Sequence, residues 1–157
     1  MTAYSFYKQS PTFRLDQEPS TKAIDAFQDF ANKYPDSERV AECNKLIDEL
    51  RAKLEEKAYA QGHLYYDLSE YLAAITSFKN MLTSFPESNQ AENVRFLILK
   101  ASYEYAAHSI YGKRAERYAE ARTSYKEYIN RYPKGEHAKE AKDISKLIEL
   151  NAKNLSK

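Results

Sequence analysis

The sequence predicts an all-α protein, a right-handed array of helix–turn–helix repeats with one long helix and a C-terminal capping helix. One observation is a stretch that occurs three times, at 23–37, 74–88 and 121–135. Each copy has an alanine, an aromatic residue four positions later and a proline eight positions after that aromatic. A second observation is that the 157 residues include only three glycines and five prolines, which favours long helices with few turns. Self-similarity of this kind is the signature of a repeat architecture.

Each copy predicts a helix that has an aromatic face and ends at its proline. Positions four, seven and eleven residues after the alanine lie on one face of a helix. Another aromatic residue comes directly before each proline, namely Tyr34, Phe85 and Tyr132. Proline lacks an N–H and restricts the residue before it. Helix ends are therefore predicted near Pro35, Pro86 and Pro133.

The remaining sequence predicts the other helices and the links between them. Ser37 and Ser88 can cap the helices that follow their prolines, and Gly135 can turn the chain. The predicted helices are about 2–9, 21–34, 37–69, 71–85, 90–108, 115–132 and 136–154. Residues 10–20 are predicted to be a solvated polar link, and 109–114 a loop or insertion. We expect one domain over 1–157, with repeats of about 1–36, 37–87 and 88–134 and a capping helix at 135–155.

The helix predicted at 37–69 is longer than a two-helix repeat needs. The segment has no proline, and its only glycine is Gly62, where we expect any bend. At 1.5 Å per residue it would extend about 48 Å. Acidic and basic residues alternate over 48–57, which supports an exposed helix through pairs four residues apart. Neighbouring repeats or another protein must cover the apolar stripe of the part before Gly62.

The second repeat resembles the tetratricopeptide motif. Its matching residues are Gly62, Tyr65, Ala74, Phe78 and Pro86. The resemblance implies that the glycine and the tyrosine let two helices approach closely. Ala58 stands where the motif has tryptophan. The prolines at 35, 86 and 133 are 51 and 47 residues apart, whereas the usual period is about 34 residues.

The order and spacing of these enlarged repeats resemble the BamD family of outer-membrane assembly lipoproteins. The segments that carry the resemblance are 14–19, 23–37, 46–68, 71–74 and 85–88. The resemblance implies a non-catalytic protein-interaction scaffold of the outer-membrane β-barrel protein assembly machinery, at the periplasmic face of the membrane. The partners it implies are the periplasmic domain of the β-barrel assembly protein and companion lipoproteins. Proteins of this family carry a lipid on an N-terminal cysteine, whereas Cys43 lies inside a predicted helix. We therefore expect a C-terminal fragment without the lipid anchor.

Composition and motifs argue against other classes of function. The 24 Lys and Arg balance 23 Asp and Glu without a basic block, which argues against nucleic-acid binding. No run of about 18 apolar residues predicts a membrane span. His63, His108 and His137 fall on three different predicted helices, without a second ligand at metal-binding spacing. Three glycines leave no phosphate-binding loop. We expect no catalytic, cofactor-binding or metal-binding residues.

Two alternative functions stay open. One is another periplasmic tetratricopeptide adaptor, such as an envelope and cell-division coordinator, although its repeats would be more regular than intervals of 51 and 47 residues. The other is a ligand-binding helical lipoprotein with a large non-repeat domain and exposed tryptophan. This chain contains no tryptophan.

Seven residues are candidates for a partner-binding surface. Mixed charges at the excess end of the long helix suit a polar, specific contact, and loops on a rigid array commonly carry function. The candidates are Arg51, Lys53 and Glu56 on the long helix, Arg14 and Asp16 in the first link, and Tyr111 and Arg114 in the predicted insertion. Reversing Arg51 and Lys53 to Glu is expected to weaken a complex without lowering the melting temperature.

Overall fold

The computed structural model describes residues 2–155, and over that range it contains seven α-helices and no strand. The helices are α1 (Ala3–Gln9), α2 (Glu18–Lys33), α3 (Val40–Asp67), α4 (Tyr71–Ser84), α5 (Ala91–Ala107), α6 (Tyr111–Arg131) and α7 (Ala138–Asn154). The all-α class and the order of the elements are therefore confirmed. Within residues 2–155, no helix combines the length and the apolar character that crossing a membrane requires.

The three helices that carry the repeated stretch end as their prolines predict. α2, α4 and α6 stop at Lys33, Ser84 and Arg131. The aromatic residue after each helix has left the helical conformation, with φ between −132° and −130° and ψ between 63° and 66°. Its N–H still donates to the carbonyl four residues back, at 2.8 to 2.9 Å. The same local sequence therefore gives the same helix end three times.

α3 ends without help from a proline or a glycine. Ser69 has a φ of 61°, in the left-handed backbone region that residues other than glycine rarely adopt. The N–H groups of Ser69 and Glu70 donate to the carbonyls of Tyr66 and Tyr65, at 2.9 Å each. This is a Schellman cap with serine in the place where glycine is usual. The cap closes a helix of 28 residues, about 42 Å long.

Two predicted helix starts are wrong, and both errors concern residues close to the start of a helix. α2 begins at Glu18, three residues before the predicted start, because proline is compatible with a first helical turn. α3 begins at Val40, because the Ser37 hydroxyl accepts the N–H of Arg39 in a turn ahead of the helix. Ser88 does the same before α5, so both serines hold turns and neither is an N-cap.

The predicted loop at 109–114 is also wrong, since α6 begins at Tyr111. Only residues 108–110 separate α5 from α6. Arg114 Nε donates to the carbonyl of Ser109 at 2.8 Å. The first turn of α6 thereby satisfies a backbone acceptor at the end of α5, which allows a short connection.

The chain forms two compact units, residues up to Ala58 and residues from Tyr59 onward, with the boundary inside α3. In the first unit, Phe27 and Ile24 of α2 pack with Ile47 and Leu50 of α3. Leu50 is fully buried. The prediction of a single domain over 1–157 stays a prediction.

In the second unit, α5 is the central helix and packs against α4, α6 and α7. Its buried residues lie on several faces, as expected for a helix enclosed by neighbours. They are Val94, Phe96, Leu97, Ile98, Leu99, Ala101, Ser102 and Ala106. A core cluster joins α5 to α6 and α7 and includes Tyr128, which is fully buried.

Candidate protein-binding surfaces

The residues of the tetratricopeptide-like motif lie where α3 meets α4 in the second unit. A Cβ placed on Gly62 would lie 2.5 Å from Cδ1 of Phe78, so no side chain fits between the two helices. Phe78 and Ala74 are fully buried, Tyr65 is half-buried and Pro86 is exposed. Gly62 and Phe78 therefore form a helix–helix contact that leaves no surface for a partner.

His63 belongs to the same contact. Its ring centre lies 4.5 Å from that of Tyr59 and 5.7 Å from that of Phe78. Its Nε2 is buried and has no hydrogen-bond partner within the described residues. Across residues 2–155, no group of three or more His, Cys, Asp or Glu side chains is placed to hold a metal ion. His63 packs here as an aromatic ring.

The link between α1 and α2 is held by side-chain hydrogen bonds. Gln17 is buried, and its Nε2 donates to the carbonyls of Thr12 and Leu15 at 2.8 and 3.0 Å. Its Oε1 accepts the hydroxyl proton of Ser20 at 2.7 Å. The expectation of a solvated link is therefore wrong at Gln17, because this side chain supplies the donors and the acceptor that close the loop.

Two lysines of α3 reach the same loop. Lys53 Nζ donates to the Ser10 hydroxyl and Lys57 Nζ to the Leu15 carbonyl, both at 2.6 Å. Between them on the helix, Leu54 packs against the core of the first unit. The premise that this end of α3 is left over from internal packing is therefore wrong, because the unit uses both its apolar and its polar side chains.

The tip of the loop faces solvent although its backbone is held. Arg14 and Asp16 are exposed, and the side chain of Leu15 between them is 59% exposed. Asp16 Oδ1 accepts the N–H of Glu18, the first residue of α2, at 3.4 Å. The loop thus presents an apolar side chain between opposite charges at a fixed position.

The other predicted candidates differ in how exposed they are and in whether they form hydrogen bonds within the chain. On α3, Arg51 is half-buried and Glu56 is exposed. In the second unit, Tyr111 is 67% exposed and its hydroxyl donates to the Leu155 carbonyl at 3.4 Å. Arg114 is half-buried and bound to Ser109, as described above. Lys53 and the loop with Arg14 and Asp16 are brought together, whereas Tyr111 and Arg114 belong to the separate second unit.

A polar groove in the second unit was not expected from the sequence. It is lined by α4, α5 and α6 and consists of two cavities of about 340 and 360 Å³ that share Lys79, Ser124 and Glu127. Arg95 lines the first cavity, and its Nε is buried without a hydrogen-bond partner within residues 2–155. The lining residues come from three helices, so no local spacing in the sequence marks them as one surface.

Two segments of the chain match known protein families. Residues 1–107 match a family model, YfiO, described as outer membrane lipoprotein, and residues 109–135 match a tetratricopeptide repeat. The outer membrane protein assembly factor BamD of Caulobacter vibrioides is 25% identical over 101 residues, which is 64% of this chain and 33% of that protein. The chain thus aligns with about a third of the length of this curated relative.

These matches test the two predictions that rested on a resemblance, namely the fold class and the family. The repeat match, together with the helical structure, confirms the tetratricopeptide-like fold class. The family match and the relative confirm the resemblance to BamD. Because the lipoprotein model matches more than half of the chain, the chain belongs to the YfiO family of outer membrane lipoproteins.

Proposed function

We propose that this chain is a non-catalytic protein-interaction scaffold of the machinery that assembles β-barrel proteins in the outer membrane. Membership in the lipoprotein family and the name of the Caulobacter relative, an assembly factor, support the proposal. Its partners would be the periplasmic domain of the β-barrel assembly protein and companion lipoproteins. Its site of action would be the periplasmic face of the outer membrane.

The loop at 10–17 is the observation that carries the proposal. Gln17 and Lys57 both bind the carbonyl of Leu15, while the Leu15 side chain remains 59% exposed. A loop that is ordered before binding loses little conformational entropy when a partner docks. An apolar anchor at such a position, with charges on either side, suits a pocket with a polar rim.

Binding of the isolated partner domain tests this assignment. We would measure the affinity of the chain for the purified periplasmic domain of the β-barrel assembly protein by calorimetry. The double variant Arg14→Gln/Leu15→Ser removes the exposed charge and the anchor but leaves the Leu15 carbonyl in place. We expect it to bind at least about tenfold more weakly, because a hot-spot anchor contributes about 2 kcal/mol or more.

Lys45→Gln is the matched control, since Lys45 is an exposed cation of α3 in the same unit. It should bind like the unaltered chain. Equal affinity of the double variant would remove the loop from the interface, and failure of the unaltered chain to bind this domain or any companion lipoprotein would reject the scaffold function.

A further inference from the structure

We propose that the turn between α5 and α6 inserts Ile110 and Tyr111 into the interface of an anionic phospholipid bilayer. The occupant of this surface is a lipid layer rather than a protein, so the proposal does not depend on the scaffold function. Membership in a family of outer membrane lipoproteins favours a membrane as the neighbouring surface. The turn lies in the second unit, whereas the loop at 10–17 lies in the first.

The apolar part of the surface is the tip of the turn. Among the large apolar side chains of residues 2–155, Ile110 and Tyr111 are the most exposed, at 74% and 67%. They are consecutive in the sequence, at the place where α6 begins. Tyrosine is enriched where membranes meet water, because its ring is apolar and its hydroxyl is polar. The pair therefore has the composition of a shallow membrane anchor.

Ile110 occupies a position where the fold itself favours a different residue. It is the N-cap of α6, with φ of −59° and ψ of 145°, and its side chain makes no capping hydrogen bond. Isoleucine is among the least favourable N-cap residues, since it cannot accept an N–H of the first helical turn. Its exposure means that packing within the chain does not offset this cost. A local rule that is broken without a gain for the fold marks a functional position.

The turn is held rigidly in front of the helices. Arg114 Nε donates to the carbonyl of Ser109 at 2.8 Å, and a terminal guanidinium nitrogen of Arg117 donates to the Ser109 hydroxyl. That hydroxyl in turn donates to the carbonyl of Tyr105, and Ser109 is buried. Ile110 directly follows this fixed serine. A side chain presented at a fixed position loses little conformational entropy on insertion.

The charges beside the tip complement anionic headgroups. Residues 109–117 contain three basic residues, Lys113, Arg114 and Arg117, and one acidic residue, Glu116. The bonds to Ser109 use one N–H group of each guanidinium, which carries five. The other N–H groups can donate to lipid phosphates, since long basic side chains reach polar groups beside an inserted apolar residue. This positive surplus favours an anionic bilayer over a neutral one.

The neighbouring turn between α3 and α4 limits how much of the unit inserts. The two turns lie side by side, because the ring centres of Tyr71 and His108 are 5.6 Å apart. The α3–α4 turn exposes Leu68, but it also exposes the carboxylates Asp67 and Glu70 on either side of that leucine. Anionic headgroups repel such a turn. Only the α5–α6 turn is therefore expected to enter the lipid interface.

Fluorescence with vesicles tests the insertion directly. The chain contains no tryptophan, so Tyr111→Trp supplies a single reporter at the tip. Vesicles of equal parts phosphatidylcholine and phosphatidylglycerol should shift its emission to shorter wavelength, and acyl-chain bromination of the lipids should quench it. Pure phosphatidylcholine vesicles should bind at least about tenfold more weakly, because the attraction to the basic residues is lost. Tyr34→Trp, at an exposed position of the first unit, is the control reporter and should not be quenched.

Variants without the reporter separate membrane binding from folding, with vesicle co-sedimentation and thermal melting as the two measurements. Ile110→Ser should bind the mixed vesicles at least about fivefold more weakly, because it removes the apolar anchor. Its melting temperature should not fall, because serine is a favourable N-cap. Lys113→Glu should also bind at least about fivefold more weakly, while an acidic residue in the first turn of α6 suits the helix dipole. Leu68→Ser is the matched control and should bind like the unaltered chain.

The outcomes distinguish this proposal from the scaffold function. Absence of quenching of the Tyr111→Trp reporter at millimolar lipid would overturn it, and so would equal losses in Leu68→Ser and Ile110→Ser. If Ile110→Ser weakens binding to the assembly protein's periplasmic domain and leaves vesicle binding unchanged, the turn is a protein interface and the membrane proposal is rejected. If the unaltered chain binds vesicles through this turn but binds neither that domain nor a companion lipoprotein, the scaffold function alone fails.

Discussion

The unit up to Ala58 and the unit from Tyr59 each have an apolar core, and they differ in whether a glycine lies at a packed contact. In the first unit, long polar side chains form hydrogen bonds between α3 and the elements before α2. Lys53 and Lys57 of α3 bind the loop at 10–17, and the hydroxyl of Tyr7 in α1 donates to Glu49 of α3 at 3.0 Å. These contacts join groups that the backbone leaves apart.

In the second unit, aromatic side chains pack directly against backbone that lacks a side chain. Phe78 lies against Gly62 of α3. Tyr128 donates to Glu92 Oε1 at 2.9 Å, and a Cβ on Gly135 would meet that Glu92 carboxylate first and the Tyr128 hydroxyl next. In both places a glycine decides whether the neighbouring side chain fits.

The difference indicates which contacts tolerate substitution. A lysine stem can adjust to a moved partner at little cost, whereas a ring that fills the space beside a glycine cannot. We therefore expect substitutions in the second unit to lower the free energy of unfolding more than substitutions in the first. Four experiments test this expectation, from the largest expected effect to the smallest.

Phe78→Ala should have the largest effect. Phe78 is fully buried, and removing such a side chain leaves a cavity as well as lost apolar burial. The expected loss in the free energy of unfolding is about 3–5 kcal/mol. Denaturant titration measures it, with Leu72→Ala as the control because Leu72 of the same helix is 54% exposed. A loss under about 1 kcal/mol would show that Phe78 does not support the core as the contact with Gly62 implies.

Gly62→Ala tests the same contact from the other side. The added methyl group would lie 2.5 Å from Phe78 Cδ1, so the ring or the helix must move. Overpacking of this kind costs about 1–3 kcal/mol, which exceeds the gain from replacing glycine inside a helix. Gly112→Ala is the matched control, since nothing lies within 4 Å of its added Cβ. Gly112→Ala should be neutral or stabilising by up to about 1 kcal/mol, and equal effects of the two substitutions would contradict the account.

Tyr128→Phe probes the buried polar contact of the second unit. Burial, and then the hydrogen bond to Glu92, raise the pKa of Tyr128 above its ordinary value. Because the folded state holds this proton more tightly, its stabilisation is complete below the ordinary tyrosine pKa of about 10 and is lost as the pH rises above it. At neutral pH we expect Tyr128→Phe to lose about 0.5–1.5 kcal/mol.

Above pH 10 the difference between the two proteins should shrink by up to about 1.4 kcal/mol per pH unit. Urea titrations between pH 8 and 11 measure this difference. Tyr34→Phe controls for loss of a hydroxyl at an exposed position. A difference that stays constant up to pH 11 would mean that the Tyr128 proton is not held by the fold.

Local rules predicted the helix ends and the α3–α4 contact because each depends on neighbouring residues. Proline acts on the residue before it, and Gly62 and Phe78 lie on consecutive helices at the spacing of a known motif. Lys53 and Ser10 are 43 residues apart, and nothing in the sequence tells which acceptor a flexible lysine will find. For the same reason Arg114 was assigned to a loop, whereas its bond to Ser109 is what lets α6 start early.

Lys53→Met should have the smallest effect of the four. Methionine keeps an unbranched apolar side chain but removes the hydrogen bond to Ser10. Because Lys53 is only half-buried, the expected loss is at the low end of the usual range, about 0.5 kcal/mol. Amide hydrogen exchange should become faster in residues 10–17 and stay unchanged in α4 to α7. Lys45→Met, at an exposed position of α3, should change neither quantity. The earlier expectation that reversal of Arg51 and Lys53 leaves the melting temperature unchanged therefore no longer follows, because Glu at position 53 cannot donate to Ser10. If Lys53→Met leaves both the stability and the exchange of the loop unchanged, Gln17 and Lys57 hold the loop without Lys53, and the contrast between the two units would rest on core packing rather than on the hydrogen bond of Lys53.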